Sequence, residues 1–273
     1  MRVRFWGVRG TIPVPGPSTV RTGGNTSCVE IETPDQDVII LDAGTGIRLL
    51  GLDLVQRCGN QLNATLLFSH THWDHIQGLP FFAPTRLRDN RLLILGHHRV
   101  DRQLKQVLAS QMSDAYLPFS LEDLDAEFLF EEIQDGERVV IGTQTTVVPW
   151  RLSHPGGVCG YRVACQGKVI VYATDVSHPV DGLDPRVVEL ARDADLLIHD
   201  AQFTPQEKEE RPHWGHSSWT EAIHVAQEAN VRQLALFHHD PMRTDDELGE
   251  IEREAQAVFP GSFVAREGIE SVL

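Results

Sequence analysis

Positions 70 to 75, within Ser69-His70-Thr71-His72-Trp73-Asp74-His75, hold three imidazoles and one carboxylate. Imidazole nitrogens and carboxylate oxygens are ordinary ligands of zinc and similar divalent ions, and a loop leaving a rigid strand can turn several of them toward one point. His70 and His72 alternate and so can project to one side, while Asp74 and His75 reach a neighbouring point. The spacing therefore suggests two metals. A lone loop histidine is more often a polar residue with an unrelated hydrogen bond, but four ligand-type side chains in six positions weaken that reading.

Such a cluster needs rigid elements around it. The apolar run 65–68 leads directly into it, and runs rich in Val, Ile and Leu at 3–6, 28–32 and 38–41 also read as strands. Asp42-Ala43-Gly44-Thr45-Gly46 is a tight turn, after which Ile47, Leu49, Leu50, Leu54 and Val55 recur at spacings suiting one helix face. A middle section is expected to hold a helix from Asp101 to about Met112, then an acidic connector with an apolar run at 128–133, together forming a cover. Strands resume at 139–141, 145–150, 161–164, 169–172, 196–198 and 234–237. Helices are expected at 185–192, after Ser218 with Glu221 completing a capping box, and from Thr244 with Glu247 to about Val258. Two blocks of strands with interleaved helices predict an α/β chain, two sheets face to face with helices outside, as one domain over residues 1–273.

Charge narrows the partners. Lys and Arg number 24 against 39 Asp and Glu, a formal net charge of −15, which argues against a surface that attracts nucleic acid throughout. Arg86, Arg88, Arg91, Arg99, Arg102 and Lys105 form a local basic stretch, while acid concentrates at 122–132 and 245–254; both read as solvated faces. Cys28, Cys58, Cys159 and Cys165 are scattered without a CxxC, so no disulfide framework is expected. No window approaches the roughly 18 uninterrupted apolar residues of a spanning helix, and MRVRFWGVRG has no apolar stretch after its charges. The expectation is a cytoplasmic protein without membrane contact. The oligomeric state is not legible, and a homodimer stays open.

The histidine cluster resembles the H-x-H-x-D-H motif of the metallo-β-lactamase superfamily, and the resemblance runs along nearly the whole chain. Leu41-Asp42-Ala43-Gly44 precedes it; Ser153-His154-Pro155-Gly156-Gly157, Ala173-Thr174-Asp175 and Leu236-Phe237-His238 follow, each at the end of an apolar strand. The resemblance implies an αββα sandwich of two mixed β-sheets. It also implies that His70, His72 and His154 hold one divalent ion, Asp74, His75 and His238 a second, and that Asp175 bridges them. His239 is a rival for His238. Zinc is the favoured metal, with manganese or iron open. Two such ions lower the pKa of a shared water and stabilise charge on an attacked ester, so the reaction is hydrolysis, with Asp74 orienting the attacking hydroxide. A glutamate does not stand at position 72, which makes the iron-dependent, oxygen-reducing members poorer guides.

Trp214-Gly215-His216-Ser217-Ser218 is similar to the Gly-His-Ser segment of ribonuclease Z and related phosphodiesterases. That similarity makes His216 a candidate general acid or phosphate binder, with Asp200 a candidate to orient it; a helix-entry histidine and a strand-end turn carboxylate are the bland alternatives. His199, His213 and His224 read as structural, and His97 and His98 as surface residues. Asn25-Thr26-Ser27 resembles a substrate-side loop of the same enzymes, and a plain turn explains it nearly as well. The opening 5–11, with Gly23-Gly24-Asn25-Thr26-Ser27-Cys28, resembles a group of bacterial metal-dependent hydrolases. The long basic arm of ribonuclease Z has no counterpart here. The expected function is therefore hydrolysis of a small, nucleotide-like phosphodiester, with a structured-RNA endonuclease and a non-catalytic metal-binding sensor as alternatives.

Overall fold

The computed structural model describes residues 1–98 and 104–273. The start of the helix expected from Asp101, and the bases Arg99 and Arg102, lie outside the described residues.

Strands covered on both faces carry unbroken apolar runs rather than an alternation. The Val-Ile-Ile-Leu run at 38–41 is such a strand, with every residue buried. It belongs to a sheet built from β1 (Arg2–Gly7), β2 (Cys28–Glu32), β3 (Val38–Leu41), β4 (Asn63–Phe68), β5 (Arg91–His97) and β6 (Glu127–Ile133). A second sheet contains β7 (Val139–Ile141), β8 (Thr145–Leu152), β9 (Val158–Cys165), β10 (Lys168–Ala173), β11 (Leu196–Asp200), β12 (Gln233–Phe237) and β13 (Ser262–Val264). The last strand, β14 (Glu270–Val272), returns to the first sheet beside β1, giving seven strands in each sheet among the described residues. The sheets are built alike. In the first, β14, β1, β2 and β3 pair antiparallel, and β3 through β6 pair parallel. In the second, β7 through β10 pair antiparallel, and β10 through β13 pair parallel.

Period-two geometry sends alternate residues to opposite faces. Ile39 and Leu41 enter the core between the sheets, where Phe5 and Leu67 meet Tyr161, Tyr172, Ile198 and Phe237. Val38 and Ile40 enter the core beneath the helices. There α1 (Ile47–Cys58) contributes Ile47, Leu50 and Leu54; α2 (Trp73–Ile76) contributes Ile76; and α3 (Leu104–Ser110) contributes Leu104 and Leu108. On the second sheet, α4 (Pro185–Ala191), α6 (Trp219–Glu228) and α7 (Asp245–Val258) lay down Leu190, Ile223 and Leu248, while α5 (Pro205–Glu210) has no buried residue. This is the expected αββα sandwich of mixed sheets.

Both expected capping boxes form, Ser218 with Glu221 and Thr244 with Glu247, and Thr204 with Glu207 adds a third at α5. Two expectations need correction. The run 128–133 is not part of a cover but an edge strand, parallel to β5; its exposed Glu131 and Glu132 blunt that edge against pairing with another chain. His97 is not a surface residue: it ends β5 fully buried, with Asp135 3.4 Å away, and His98 is half-buried. Among the described residues no helix is long and apolar enough to cross a membrane.

Phe237 lies between the sheets against the rings of Phe5 (6.2 Å) and Tyr172 (5.7 Å). Phe237→Ala is expected to cost about 3–5 kcal/mol, measured as a lowered midpoint in urea unfolding; a loss under about 1 kcal/mol would show that this contact does not clamp the sheets.

Candidate metal centre

Open α/β sheets offer ligand sites outside the carboxyl ends of their strands. Here β3, β4, β8, β10, β11 and β12 deliver Asp42, the 70–75 segment, His154, Asp175, Asp200 and His238 to one place. Asp42, Asp175 and His238 have φ of 60°, 53° and 59°. A left-handed conformation is uncommon for residues with a Cβ and is held only where the surroundings over-determine it. In each case it ends a strand abruptly and turns the next segment aside.

The 70–75 segment changes period as it runs. His72 is extended (φ −62°, ψ 152°) and caps α2, whose first turn carries Asp74 and His75. His70 and His72 are therefore displayed by extended backbone, and Asp74 and His75 by a helical turn. Ligand atoms of His70, His72 and His154 lie within 4.8 Å of one another, as do those of Asp74, His75 and His238 and those of His70, His75 and Asp175. His154 Nε2 is 3.2 Å from His72 Nδ1, and Asp175 reaches both groups, 3.8 Å from His70 Nε2 and 3.3 Å from His238 Nε2.

Donor chemistry tests whether a cation fits. His75 Nδ1 faces Asp42 Oδ2 at 2.8 Å, and His238 Nδ1 faces Gln202 Oε1 at 2.9 Å. Each Nδ1 therefore carries the proton, which leaves both Nε2 atoms as lone-pair acceptors. Those two nitrogens nonetheless lie 3.3 Å apart, with Asp74 Oδ2 3.3 Å from one and 3.1 Å from the other. Acceptors so close repel unless positive charge lies among them. In the first group, His70 Nε2 is buried with no hydrogen-bond partner among the described residues. Residues of both groups fit a divalent cation.

The titration behaviour carries the same demand. Burial lowers the pKa of His70, His72 and His154, so these imidazoles are neutral and can donate lone pairs. Burial also opposes charge on His75, but Asp175, Asp74 and Asp42 outweigh it and hold its pKa well above the ordinary value, so that short of a cation a second proton, on Nε2, supplies the positive charge these carboxylates demand. Burial would raise the Asp74 carboxyl; His75 and His238 outweigh it and hold it below the usual carboxylate range.

His239 does not join the cluster. It donates from Nε2 to the Ala265 carbonyl at 2.9 Å, and burial, with Arg9, pushes its pKa down to about 3. His199 is buried and donates to the Asp200 carbonyl, while His213 and His224 are exposed. Asn25-Thr26-Ser27 is a pinned turn rather than a free loop: Thr26 and Ser27 are buried, and Asn25 donates to Glu267.

The Gly-His-Ser segment lies against the cluster. His216 Nδ1 is 2.8 Å from Asp200 Oδ2, Ser217 N–H donates to Asp200 Oδ1 at 3.0 Å, and His154 Nδ1 donates to the Gly215 carbonyl at 2.9 Å. Gly215 has φ 85°, and a Cβ there would meet His154 and Pro155. Burial opposes charge on His216, but Asp200, Asp175 and Asp74 outweigh it and push its pKa up to about 9. A cation would neutralise the pull of Asp175 and Asp74 and leave Asp200 as the group holding the proton. Asp175, Asp200, His216 and His238 are also close enough to form a ligand set themselves, although the Nδ1 atoms of both imidazoles are engaged.

Three supports were not legible beforehand. Thr11 N–H donates to Asp74 Oδ2 at 2.7 Å, Gln202 holds His238, and Arg9, fully buried, donates to the carbonyls of Gly23, Asp240 and Arg243. Gly10 lets this strap pass, since a Cβ there would lie 2.4 Å from the His238 ring. A single sequence offers no signal for such contacts, which join residues 14 to 234 positions apart.

The beta-lactamase superfamily domain matches residues 38–239 of the chain. An uncharacterized protein of Mycobacterium leprae is 30% identical over 270 residues, covering 96% of this chain and 84% of its own. A ribonuclease Z of Metallosphaera sedula is 29% identical over 265 residues, covering 83% of this chain and 86% of its own. The crystal structure of the metallo-beta-lactamase fold protein YhfI from Bacillus subtilis superposes with a TM-score of 0.74 at 21% identity, covering 99% of this chain and 98% of that one.

Asp42 accepts from Ser69 N–H and Ser69 Oγ at 2.7 Å each and from His75 and the Tyr172 hydroxyl at 2.8 Å each. Asp42→Asn keeps the shape but replaces one acceptor by a donor among donors. The expected cost is about 2–4 kcal/mol in urea unfolding, together with weakened metal retention; unchanged stability would refute the central role assigned to this carboxylate.

Proposed function

The chain belongs to the beta-lactamase superfamily, and from that premise we propose that this metal-dependent hydrolase cleaves a phosphodiester bond of a small, nucleotide-like substrate. The observation that carries the reading is the His216–Asp200 pair beside the candidate metal ligands. Asp200 occupies Nδ1 of His216 and leaves Nε2 free of any hydrogen bond among the described residues. A protonated imidazole so held can give its Nε2 proton to a departing alkoxide, the step that limits cleavage of unactivated phosphodiesters.

The ligand sets fit two divalent ions, zinc being favoured and manganese or iron accepted: His70, His72 and His154 for one, Asp74, His75 and His238 for the other, with Asp175 between them. When bound, the ions would activate water and draw charge from the phosphate. Asp74, held by Thr11 N–H, has one oxygen committed to the strap and the His238 side, so its carboxylate is oriented before substrate arrives. It is the group assigned to orient the attacking water.

Small substrates fit better than structured RNA. The formal charge is −15, and three of the four described bases of the 86–105 stretch are engaged locally: Arg91 pairs with Glu127, Arg86 stacks on Phe119, and Lys105 lies over Phe130. The relative named ribonuclease Z keeps an endonuclease as the second reading. Steep salt dependence of RNA binding, lost on neutralising Arg86, Arg88 and Lys105, would favour it.

Metal analysis after reconstitution is expected to find about two equivalents per chain, falling by half in His154→Ala; less than one equivalent in the wild type would favour a sensor over an enzyme. His216→Gln is expected to lower kcat about 10²–10⁴-fold for diesters with alkoxide leaving groups and far less for p-nitrophenyl esters, which need no proton. Equal losses on both substrate types, or loss of metal from the variant, would remove the general-acid assignment.

A further inference from the structure

Outside the ligand cluster, a cavity of about 570 Å³ lies against the metal-binding segment itself. Thr71 and Trp73, the residues flanking His72, form part of its wall, and Phe81, Gln111, Tyr116 and Leu117 line the rest with other uncharged residues. None of the lining side chains is charged, so the cavity does not suit the phosphate, whose place is at the cations. Three aromatic rings open onto it: Trp73, Phe81 and Tyr116 are 57%, 53% and 73% exposed.

Gln111, immediately after α3, stands apart from the other polar residues of these walls, Thr71, Gln77 and Ser110, in having both side-chain polar atoms buried and unmet. Its side chain is buried, and neither Nε2 nor Oε1 has a hydrogen-bond partner among the described residues. A buried amide with donor and acceptor both unmet costs stability, and such a group calls for an explanation in function. A primary amide presents one donor and one acceptor side by side, the complement of a nucleobase edge. Aromatic side chains supply the stacking surface such a base uses.

We propose that this cavity is the base-recognition subsite, in which a nucleobase stacks among Trp73, Phe81 and Tyr116 and pairs its edge with the Gln111 amide. The inference rests on the phosphodiesterase reading and specifies its substrate as one that carries a nucleoside. Uncharged, largely apolar and aromatic walls with a few polar groups are the usual make-up of a small-molecule subsite, and attachment to the residues flanking His72 sets the base next to the reacting phosphate.

The test compares two diesters with the same leaving group, thymidine 5′-(p-nitrophenyl phosphate) and methyl p-nitrophenyl phosphate, on the metal-loaded protein. The wild type is expected to prefer the nucleoside ester in kcat/KM. Gln111→Leu should reduce that preference about tenfold, chiefly through KM, while Tm stays level or rises because an unsatisfied amide has gone. Tyr116→Ala, at an exposed position that folding does not need, should reduce it as well. Calorimetric titration gives a readout without turnover: adenosine 5′-monophosphate should bind more tightly than ribose 5-phosphate, and Gln111→Leu should erase the difference. If both diesters are cleaved but neither variant changes the preference, the subsite is wrong and the phosphodiesterase reading stands. If neither diester is cleaved, that reading fails, and equal binding of the two monophosphates then overturns the subsite too.

Discussion

The buried carboxylate of Asp42 is the joint on which the site depends. It has two oxygens and accepts from four groups: the backbone and hydroxyl of Ser69, the imidazole of His75 and the hydroxyl of Tyr172. Ser69 opens the ligand loop after β4, His75 lies in α2, and Tyr172 belongs to the other sheet. One desolvated charge thus fastens loop, helix turn and opposite sheet together. A carboxylate that far from water persists only when its lone pairs are filled, so this network is all-or-none. Its effect on His75 is to fix the proton on Nδ1 and aim the Nε2 lone pair at the cluster.

The same logic extends outward. Gln202 orients His238, the Gly215 carbonyl orients His154, Asp200 orients His216, and Thr11 N–H orients Asp74. Partners of this kind fix the tautomer and direction of a metal-binding imidazole and govern its affinity. What remains is an excess of negative charge and lone pairs, with Asp74, Asp175 and Asp200 buried together beside the neutral imidazoles of His70, His72 and His154. Such an arrangement is unfavourable as bare protein and favourable around cations. Stability and metal occupancy are therefore coupled by construction.

Two sheets of like design make this convergence possible. Each has an antiparallel half and a parallel half. The first sheet ends in Asp42 and the 70–75 loop, and the second in His154, Asp175, Asp200 and His238. The cleft between these strand ends receives chemistry from both, and the left-handed turns at Asp42, Asp175 and His238 keep it short and rigid. The aromatic cavity beside His72 is walled by the same loop, so the candidate ligands and the proposed base subsite share one segment.

Much of this was legible in the residue string. Buried strands show as apolar runs, helix starts show as Ser/Thr followed by Glu three residues on, and the ligand types of 70–75 are local facts that no fold can alter. The order of Asp42, His154, Asp175 and His238 at strand ends carried the superfamily's pattern. Other features waited for the tertiary structure. β5 and β6 exist as a parallel pair only because each finds the other, and His97 is buried at the end of β5 although His98 and Arg99 follow it in sequence. The choice of His238 over His239 as the residue brought to the cluster rests on which way a backbone at φ 59° points its side chain. The strap from Arg9 to Thr11, and the unmet amide of Gln111, are relations between distant segments. Composition and spacing specify which groups a chain possesses; only packing, which assigns every buried donor its acceptor, determines which of them face one another.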